Sequence, residues 1–350
     1  MAISSNQGAM PFFTNGMNIL IATGIYPPDI GGPAQYAANI ERVWKNFGHR
    51  VDVRTFRYER IFPTGLRHIL YLFKCLPAAL RADFIFVLDT WSAALPAVFL
   101  GWLFRKKTVI RTGGDFLWES YVERTNDMVL FREFYKTRIG KLSRKERFVF
   151  SITKWVLHHA SAVVFSTKWQ KFIWNEPYKL TSIKTNIVEN YYGSKEVSFP
   201  PEKKDFIVGT RPLKWKNNVR LKEVFGRVSK NGPVLTYDST ITPFNSFMDK
   251  LARSYAVILA SLGDISPNLI LDAIRHNKPF IVTRETGLYE RIKECALFVD
   301  PENVDDMALK IRWLSDPVNY KEQKKKVEAF TFTHTWENIA DEFLSIYKRL

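Results

Sequence analysis

The chain is short of several things whose presence would have fixed its class at once. Among its 350 residues there are only two cysteines, Cys75 and Cys295. A secreted chain of this size usually carries several pairs, so both read as reduced thiols of a cytosolic protein rather than as part of a disulfide framework. The six histidines show no metal-ligand spacing, and the adjacent His158 and His159 read as part of a polar helix face. Long apolar runs are missing too. The most apolar stretch, TWSAALPAVFLGWLF over 90–104, contains Pro96 and falls short of the roughly 20 residues that cross a bilayer, so it reads as a buried helix. The opening MAISSNQGAMPFFTNG has no positive n-region and no long apolar run, which argues for a loose tail instead of a signal peptide. Acidic residues are in deficit: 35 against 51 Lys and Arg, a formal charge of +16. That surplus implies an anionic partner, and nucleic acid, an acidic lipid surface or a phosphorylated substrate satisfies it equally well. No recognised nucleic-acid motif accompanies it and the lysines are spread over both halves, so nucleic acid is not the expected partner.

What the chain does have is a hydrophobic content of 46% and an aromatic content of 15%, enough for two domains with their own cores. Short β-type runs alternate with helical stretches almost throughout. NILIAT (18–23) leads into a helix from Pro33. RVDVRTF (50–56), FIFVLD (84–89), TVIRT (108–112), AVVFST (162–167) and NIVEN (186–190) follow. After the polar break YGSKEVSFPPEKKD (192–205) come FIVGT (206–210), PVLTY (233–237), AVILAS (256–261), PFIVT (279–283) and LFVD (297–300). This order predicts an α/β fold of two Rossmann-like domains with parallel sheets, ligands binding beyond the C-terminal strand ends. The expected division is a tail over 1–16, a first domain over 17–191, a linker over 192–204, a second domain over 205–332 and a C-terminal helix over 333–350 that packs back on the first domain. The stretch FREFYKTRIGKLSRKERFVF (131–150) reads as an irregular basic region. Its interleaved Phe131, Phe134, Tyr135, Phe148 and Phe150 suit either an acceptor or membrane-surface patch or an ordinary solvated helix face.

Four stretches carry candidate chemistry. In LGDISPNLILDA, Ser266 suits an N-cap and Pro267 the first helical position, leaving the amides of Asn268 and Leu269 free to meet a phosphate. Asp272, one helical turn on, can reach a ribose diol, and Asp264 can face the other end of the same ligand; stabilisation of the helix dipole is the plainer alternative. In GTRPLKWKNNVRL, Arg211, Lys214 and Lys216 open the first loop of the second domain, as phosphate contacts or as a solvated basic turn. Gly31 and Gly32 follow the first strand and precede Pro33, allowing close backbone approach to a ligand or simply a tight turn. In RTGGDFLWE, Gly113, Gly114 and Asp115 lie at the same sheet edge.

Together, YPPDIGG…GHRVDV, GTRPLKWK, DISPNLILDA and KPFIVTRETGLYE resemble the retaining glycosyltransferases of family 4, and the resemblance runs from Met17 onward. It implies the GT-B architecture, two Rossmann-like domains facing across a cleft. It also implies transfer of a sugar from a nucleoside-diphosphate sugar, with retention, to a glycan, lipid-linked sugar or small molecule, in cell-envelope or polysaccharide synthesis. By that resemblance Asp264, Arg211 and Lys216 are the catalytic set, with Asp264 on the donor sugar and the two cations on the diphosphate. Asp272, Asn268, Leu269, Gly31 and Gly32 are donor-binding, and Gly114 and Asp115 lie on the acceptor side. It implies no metal and no cofactor beyond the donor, and a cytoplasmic location that an anionic membrane surface extends to the inner face of the membrane. The chain departs from the family in three ways. Aspartates stand where the family has two glutamates, TGGD replaces a loop histidine, and the stretch between Lys216 and Asp264 is about one βα unit short. A non-catalytic nucleotide-sugar-binding protein of the same fold is the alternative.

Overall fold

The computed structural model of the chain describes residues 16–29, 31–208, 211–230, 235–240 and 242–350. The expected tail therefore lies, up to Asn15, outside the described residues, as do Gly209 and Thr210 of the GTRPLKWK stretch and the first two residues of PVLTY.

All eleven expected strands form. They are β1 Asn18–Thr23, β2 Arg50–Thr55, β3 Phe84–Val87, β4 Lys107–Arg111, β5 Ala162–Phe165, β6 Thr185–Ile187, β7 Asp205–Ile207, β8 Thr236–Asp238, β9 Ala256–Leu259, β10 Phe280–Thr283 and β11 Leu297–Val299. β1 to β6 make a six-stranded sheet in the order β2-β1-β3-β4-β5-β6, and the rest a five-stranded sheet in the order β11-β10-β9-β7-β8. The described pairings are parallel, as crossover helices require. The central strands β3, β5, β9 and β10 are buried along their whole length, the signature of a sheet covered on both faces. In the five-stranded sheet alternate residues serve opposite cores. Phe206, Ile258 and Ile281 join one, while Ile207, Val257, Leu259, Phe280 and Val282 join the other.

By compactness the chain forms two units. One comprises the described residues up to Arg111 with His159–Ala162 and Ala340–Leu350; the other comprises Thr112–His158 and Val163–Ile339. In the first, Trp44 of the helix Gly32–Asn46 packs edge-on against Phe84 and Phe86 of β3. Its indole Nε1 donates to the carbonyl of Ala340 at 3.2 Å. Phe343 and Tyr347 of the C-terminal helix Trp336–Lys348 meet Phe86 and Phe84 at 4.6 and 5.0 Å between ring centres. The last helix thus returns to the helix that opens the chain, as expected.

The apolar 90–104 stretch gives the helix Ala94–Leu103, buried over most of its length but ending in the exposed Trp102 and Leu103, and among the described residues no helix is long and apolar enough to cross a membrane. Cys75 and Cys295 are buried and free. One expectation needs correction. The 131–150 stretch is not irregular: it forms the helix Phe131–Thr137, a 3₁₀ turn Ile139–Lys141 and the start of the helix Arg144–His159. Phe131, Phe134 and Tyr135 face inward and are buried. Their spacing is the apolar stripe of a short helix that the intervening charges disguise.

Candidate functional site

The order of the five-stranded sheet decides where a ligand site can form. The chain enters at β7, adds β8 on one side and then β9 on the other. The carboxyl ends of β7 and β9 therefore flank the point where the winding reverses, the place at which open α/β sheets leave a crevice. Lys216 follows β7 and Asp264 follows β9, and across this point the Lys216 Nζ lies 2.8 Å from the Asp264 Oδ2.

Lys216 is held there by local backbone chemistry. It ends a 3₁₀ turn, Lys214–Lys216, closed by Asn217 with a left-handed φ of 62°. The Asn217 side-chain amide donates to the carbonyls of Ala260 and Pro301 at 2.9 and 2.8 Å, which pins the turn to the end of β9. The buried Trp215 accepts the amide of Leu262 at 2.9 Å. Asp264 is fixed from its own side. Its amide donates to the carbonyl of Glu285, its carbonyl accepts from Gly287, and its Oδ2 accepts from Ser261 Oγ at 2.7 Å.

A third wall comes from far earlier in the chain. The helix Phe116–Thr125 lies over this region, with Trp118 against Trp215 at 5.3 Å and Glu123 accepting the Lys214 amide at 2.6 Å. The Phe131 amide donates to the carbonyl of Leu262 at 3.0 Å. Gly263 makes the fit possible, since a Cβ there would stand 2.5 Å from the Phe131 Cβ. This packing brings in Glu119, which sequence reasoning missed although it ends the quoted RTGGDFLWE. Burial pushes its carboxyl up to about 7 and Asp115 adds to the rise. Lys216 and Arg211 pull it down, and Asp264 pushes it up. One half-buried carboxyl therefore shares a field with both predicted cations and the predicted aspartate. Gly114 supplies the room, because a Cβ at that position would meet the Glu119 Oε1 at 2.5 Å. The signal was a glycine five residues ahead of a glutamate across a helix start.

The other predicted residues fall in different places. Arg211 is exposed at the loop before the 3₁₀ turn. Asp115 is buried and saturated. It caps the 116–125 helix through the Trp118 amide at 2.8 Å and accepts from Tyr135 Oη at 2.5 Å and Trp174 Nε1 at 2.7 Å. Burial raises its carboxyl and those donors pull it back. Ser266 is not the N-cap. Pro267 takes that position with a φ of −71° and no capping side chain, and the helix is Asn268–Arg275. A proline cap brings no side-chain oxygen, and the first amides that turn back to it are those of Ile270 and Leu271. Asn268 is exposed and Leu269 buried. The Asp272 carboxyl, raised chiefly by burial, is held by Arg275 Nη1 at 2.9 Å, and Arg275 also pairs with Glu196. Gly31 and Gly32 belong to the first unit, where Gly31 has a φ of 151° that favours glycine and Gly32 begins the 32–46 helix.

A third carboxyl stands near this set. Glu285 is buried and pushed up to about 7 by that burial, with Arg132 Nε at 3.2 Å opposing the rise. Among the described residues no group of three or more His, Cys, Asp or Glu side chains forms a metal cluster. Lys216 and Arg211, both acting on Glu119, thus stand with the carboxyl groups of Asp264, Glu119 and Glu285 near a sheet switch point, chemistry suited to a phosphorylated ligand with hydroxyl groups.

Comparison with family models and with curated proteins gives no match. Comparison of folds gives many. The sucrose-phosphate synthase of Thermosynechococcus elongatus superposes with a TM-score of 0.65 at 14% identity, over 95% of this chain and 98% of that one. The catalytic domain of starch synthase IV from Arabidopsis thaliana, bound to ADP and acarbose, does so at 0.64 and 11% identity, over 96% and 99%. A UDP-forming α,α-trehalose-phosphate synthase from Burkholderia xenovorans gives 0.63 at 11% identity, over 95% and 99%. At these identities the likeness is one of fold, and that fold is GT-B.

Proposed function

We propose that the chain transfers a sugar from a nucleoside-diphosphate sugar to an acceptor hydroxyl with retention at the anomeric carbon, as a retaining glycosyltransferase of family 4. The observation that carries this reading is the Lys216–Asp264 contact at the β7/β9 switch point, with Arg211 and Glu119 in the same field. The bond from the anomeric carbon to the diphosphate breaks, a bond to the acceptor oxygen forms, and the acceptor proton leaves with the diphosphate. Negative charge grows on the departing phosphate, where the cations Arg211 and Lys216, already gathered beside the switch point, stabilise it. A lysine suits this task, since its ammonium is a mobile point charge that can turn from Asp264 to a phosphate oxygen. Asp264, released on one side and still held by Ser261, accepts from donor hydroxyls. Glu119, titrating near neutrality, accepts from or donates to a sugar hydroxyl according to pH. The amides of Asn268 and Leu269 add phosphate donors, and Asp272 meets the ribose.

The names of the neighbouring structures support the class of donor: a UDP-forming synthase and a starch synthase bound to ADP. The test is a thermal-shift panel of UDP-, GDP- and ADP-sugars on the wild type and on Arg211→Ala and Lys216→Ala, followed by a transfer assay with the donor that binds. Stabilisation of the wild type alone, and a product whose anomeric configuration matches the donor, are the expected results. Binding without turnover would leave a nucleotide-sugar-binding protein. Equal stabilisation of all three chains would remove the two cations from the site.

A further inference from the structure

The helix Thr64–Arg81 in the first unit carries more apolar surface than its fold consumes. One face, with His68, Tyr71, Cys75, Ala78 and Ala79, is buried beneath it. That face is sufficient to seat a crossover helix on a sheet. A second face, made by Leu66, Ile69, Leu70, Phe73 and Leu80, is exposed. Leu66, Ile69, Leu70 and Phe73 repeat at three- and four-residue intervals and Leu80 follows two turns on, so they form one stripe along the helix, about 21 Å long at the helical rise. Ile61 and Phe62, exposed just before the helix, extend it, with Ile61 at 82%. The neighbouring helix Ala94–Leu103 packs beside it and ends in exposed Trp102 and Leu103. Both helices return from carboxyl to amino strand ends, so Leu80 and Trp102 lie toward the same end.

Charge selects the occupant. From Pro63 to Ala82 the chain has Arg67, Lys74 and Arg81 and no acidic residue. From Trp91 to Gly114 it has Arg105, Lys106, Lys107 and Arg111, again with none. Lys74 is engaged by Glu59, but Arg81 stands 71% exposed with only a 4.0 Å approach to Asp52, and Arg105 is exposed. A second copy of this face would set cations against cations.

We propose that this stripe, Leu66, Ile69, Leu70, Phe73 and Leu80 with Trp102 beside it, seats the protein on an anionic lipid bilayer. The apolar side chains enter the acyl boundary and Arg81 and Arg105 meet lipid phosphates. This places the membrane surface on the first unit and not on the 131–150 stretch, whose central aromatics are buried. It stands independently of the transfer reading, because its readout is lipid binding alone.

The experiment is co-sedimentation of the full chain with vesicles of phosphatidylcholine containing phosphatidylglycerol, and with phosphatidylcholine alone, at about 0.15 M salt. The comparison variant is Leu66→Ser/Ile69→Ser/Phe73→Ser, with its fold checked by thermal melting; a second variant is Arg81→Glu/Arg105→Glu. The expected result is binding to the anionic vesicles that falls at least tenfold in both variants, with phosphatidylcholine alone bound weakly. Equal binding by the serine variant would overturn the proposal, since attraction would then come from charge elsewhere. No binding by the wild type, or a dimer in sedimentation velocity that only the serine variant loses, would also overturn it.

Discussion

The two sheets share a topology and use it differently. In the first, β1 has β2 on one side and β3 on the other, so its switch point lies between β1 and β3. In the second it lies between β7 and β9. Each places an aspartate at the carboxyl end of the strand that reverses the winding, Asp89 after β3 and Asp264 after β9. Asp89 is spent on its own loop. It accepts from the amides of Trp91, Ala93 and Ala94 and from Ser92 Oγ, and a Cβ on Gly24 would meet its Oδ2 at 3.2 Å. Asp264 accepts from one hydroxyl and one lysine ammonium, a partner that can leave. A switch point is thus a place where a site can be built, and the donors around its carboxylate decide whether one is.

The sharpest way to break this comparison is Lys216→Ala. It should lower turnover about 10²–10³-fold, the usual cost of losing one preorganised donor at developing charge, while the melting temperature stays near that of the wild type. A steady-state transfer assay with a parallel melt decides it; an inactive chain that also melts early would make Lys216 structural. Next comes Gly263→Ala. The added carbon meets the Phe131 Cβ at 2.5 Å and Trp118 at 3.1 Å, neither able to swing aside, so overpacking should cost about 1–3 kcal/mol. Denaturant melts read the loss. Donor affinity should fall with it, because the loop bearing Asp264 is displaced.

Asp89→Ala tests the other half. Removing a carboxylate that terminates several backbone amides should cost about 1–2 kcal/mol and lower the melting temperature, with donor affinity in calorimetry unchanged. A loss of affinity instead would mean that the first switch point also meets ligand. The smallest expected effect is that of Glu119→Gln. The folded chain keeps its carboxyl at about 7 against an ordinary 4.5, so the folded state holds a proton that the unfolded chain releases. Its contribution to stability is complete below about pH 4.5 and is lost as pH rises through about 7. The glutamine variant should therefore gain roughly 2–4 °C over wild type at pH 8 and little or nothing at pH 4.5. Melts at the two pH values that differ from wild type by the same amount would mean Glu119 carries no raised carboxyl.

The strands were legible because a strand buried on both faces must be a short, nearly unbroken β-branched or aromatic run, and AVILAS or FIFVLD has few other readings. Lys216 and Asp264 were legible as charges after strands, not as neighbours. Glu119 was harder. It sits in a helix whose sequence reads as amphipathic, and only the packing of Trp118 on Trp215 carries it to the cations. Asp115 was legible as a polar residue at a strand end, yet the indole and phenol that consume it come from Trp174 and Tyr135, far along the chain.

The sequence by itself determined the alternation of elements, the count of strands and the excess of cations, since these rest on local periodicity and composition. Which charges meet was decided only by tertiary structure. Sheet order sets β9 beside β7 across 48 residues of chain, and close packing at Gly263 brings the 116–125 helix down upon both. Electrostatic partnership falls off with distance in space and takes no account of distance along the chain, so no local reading could have supplied it.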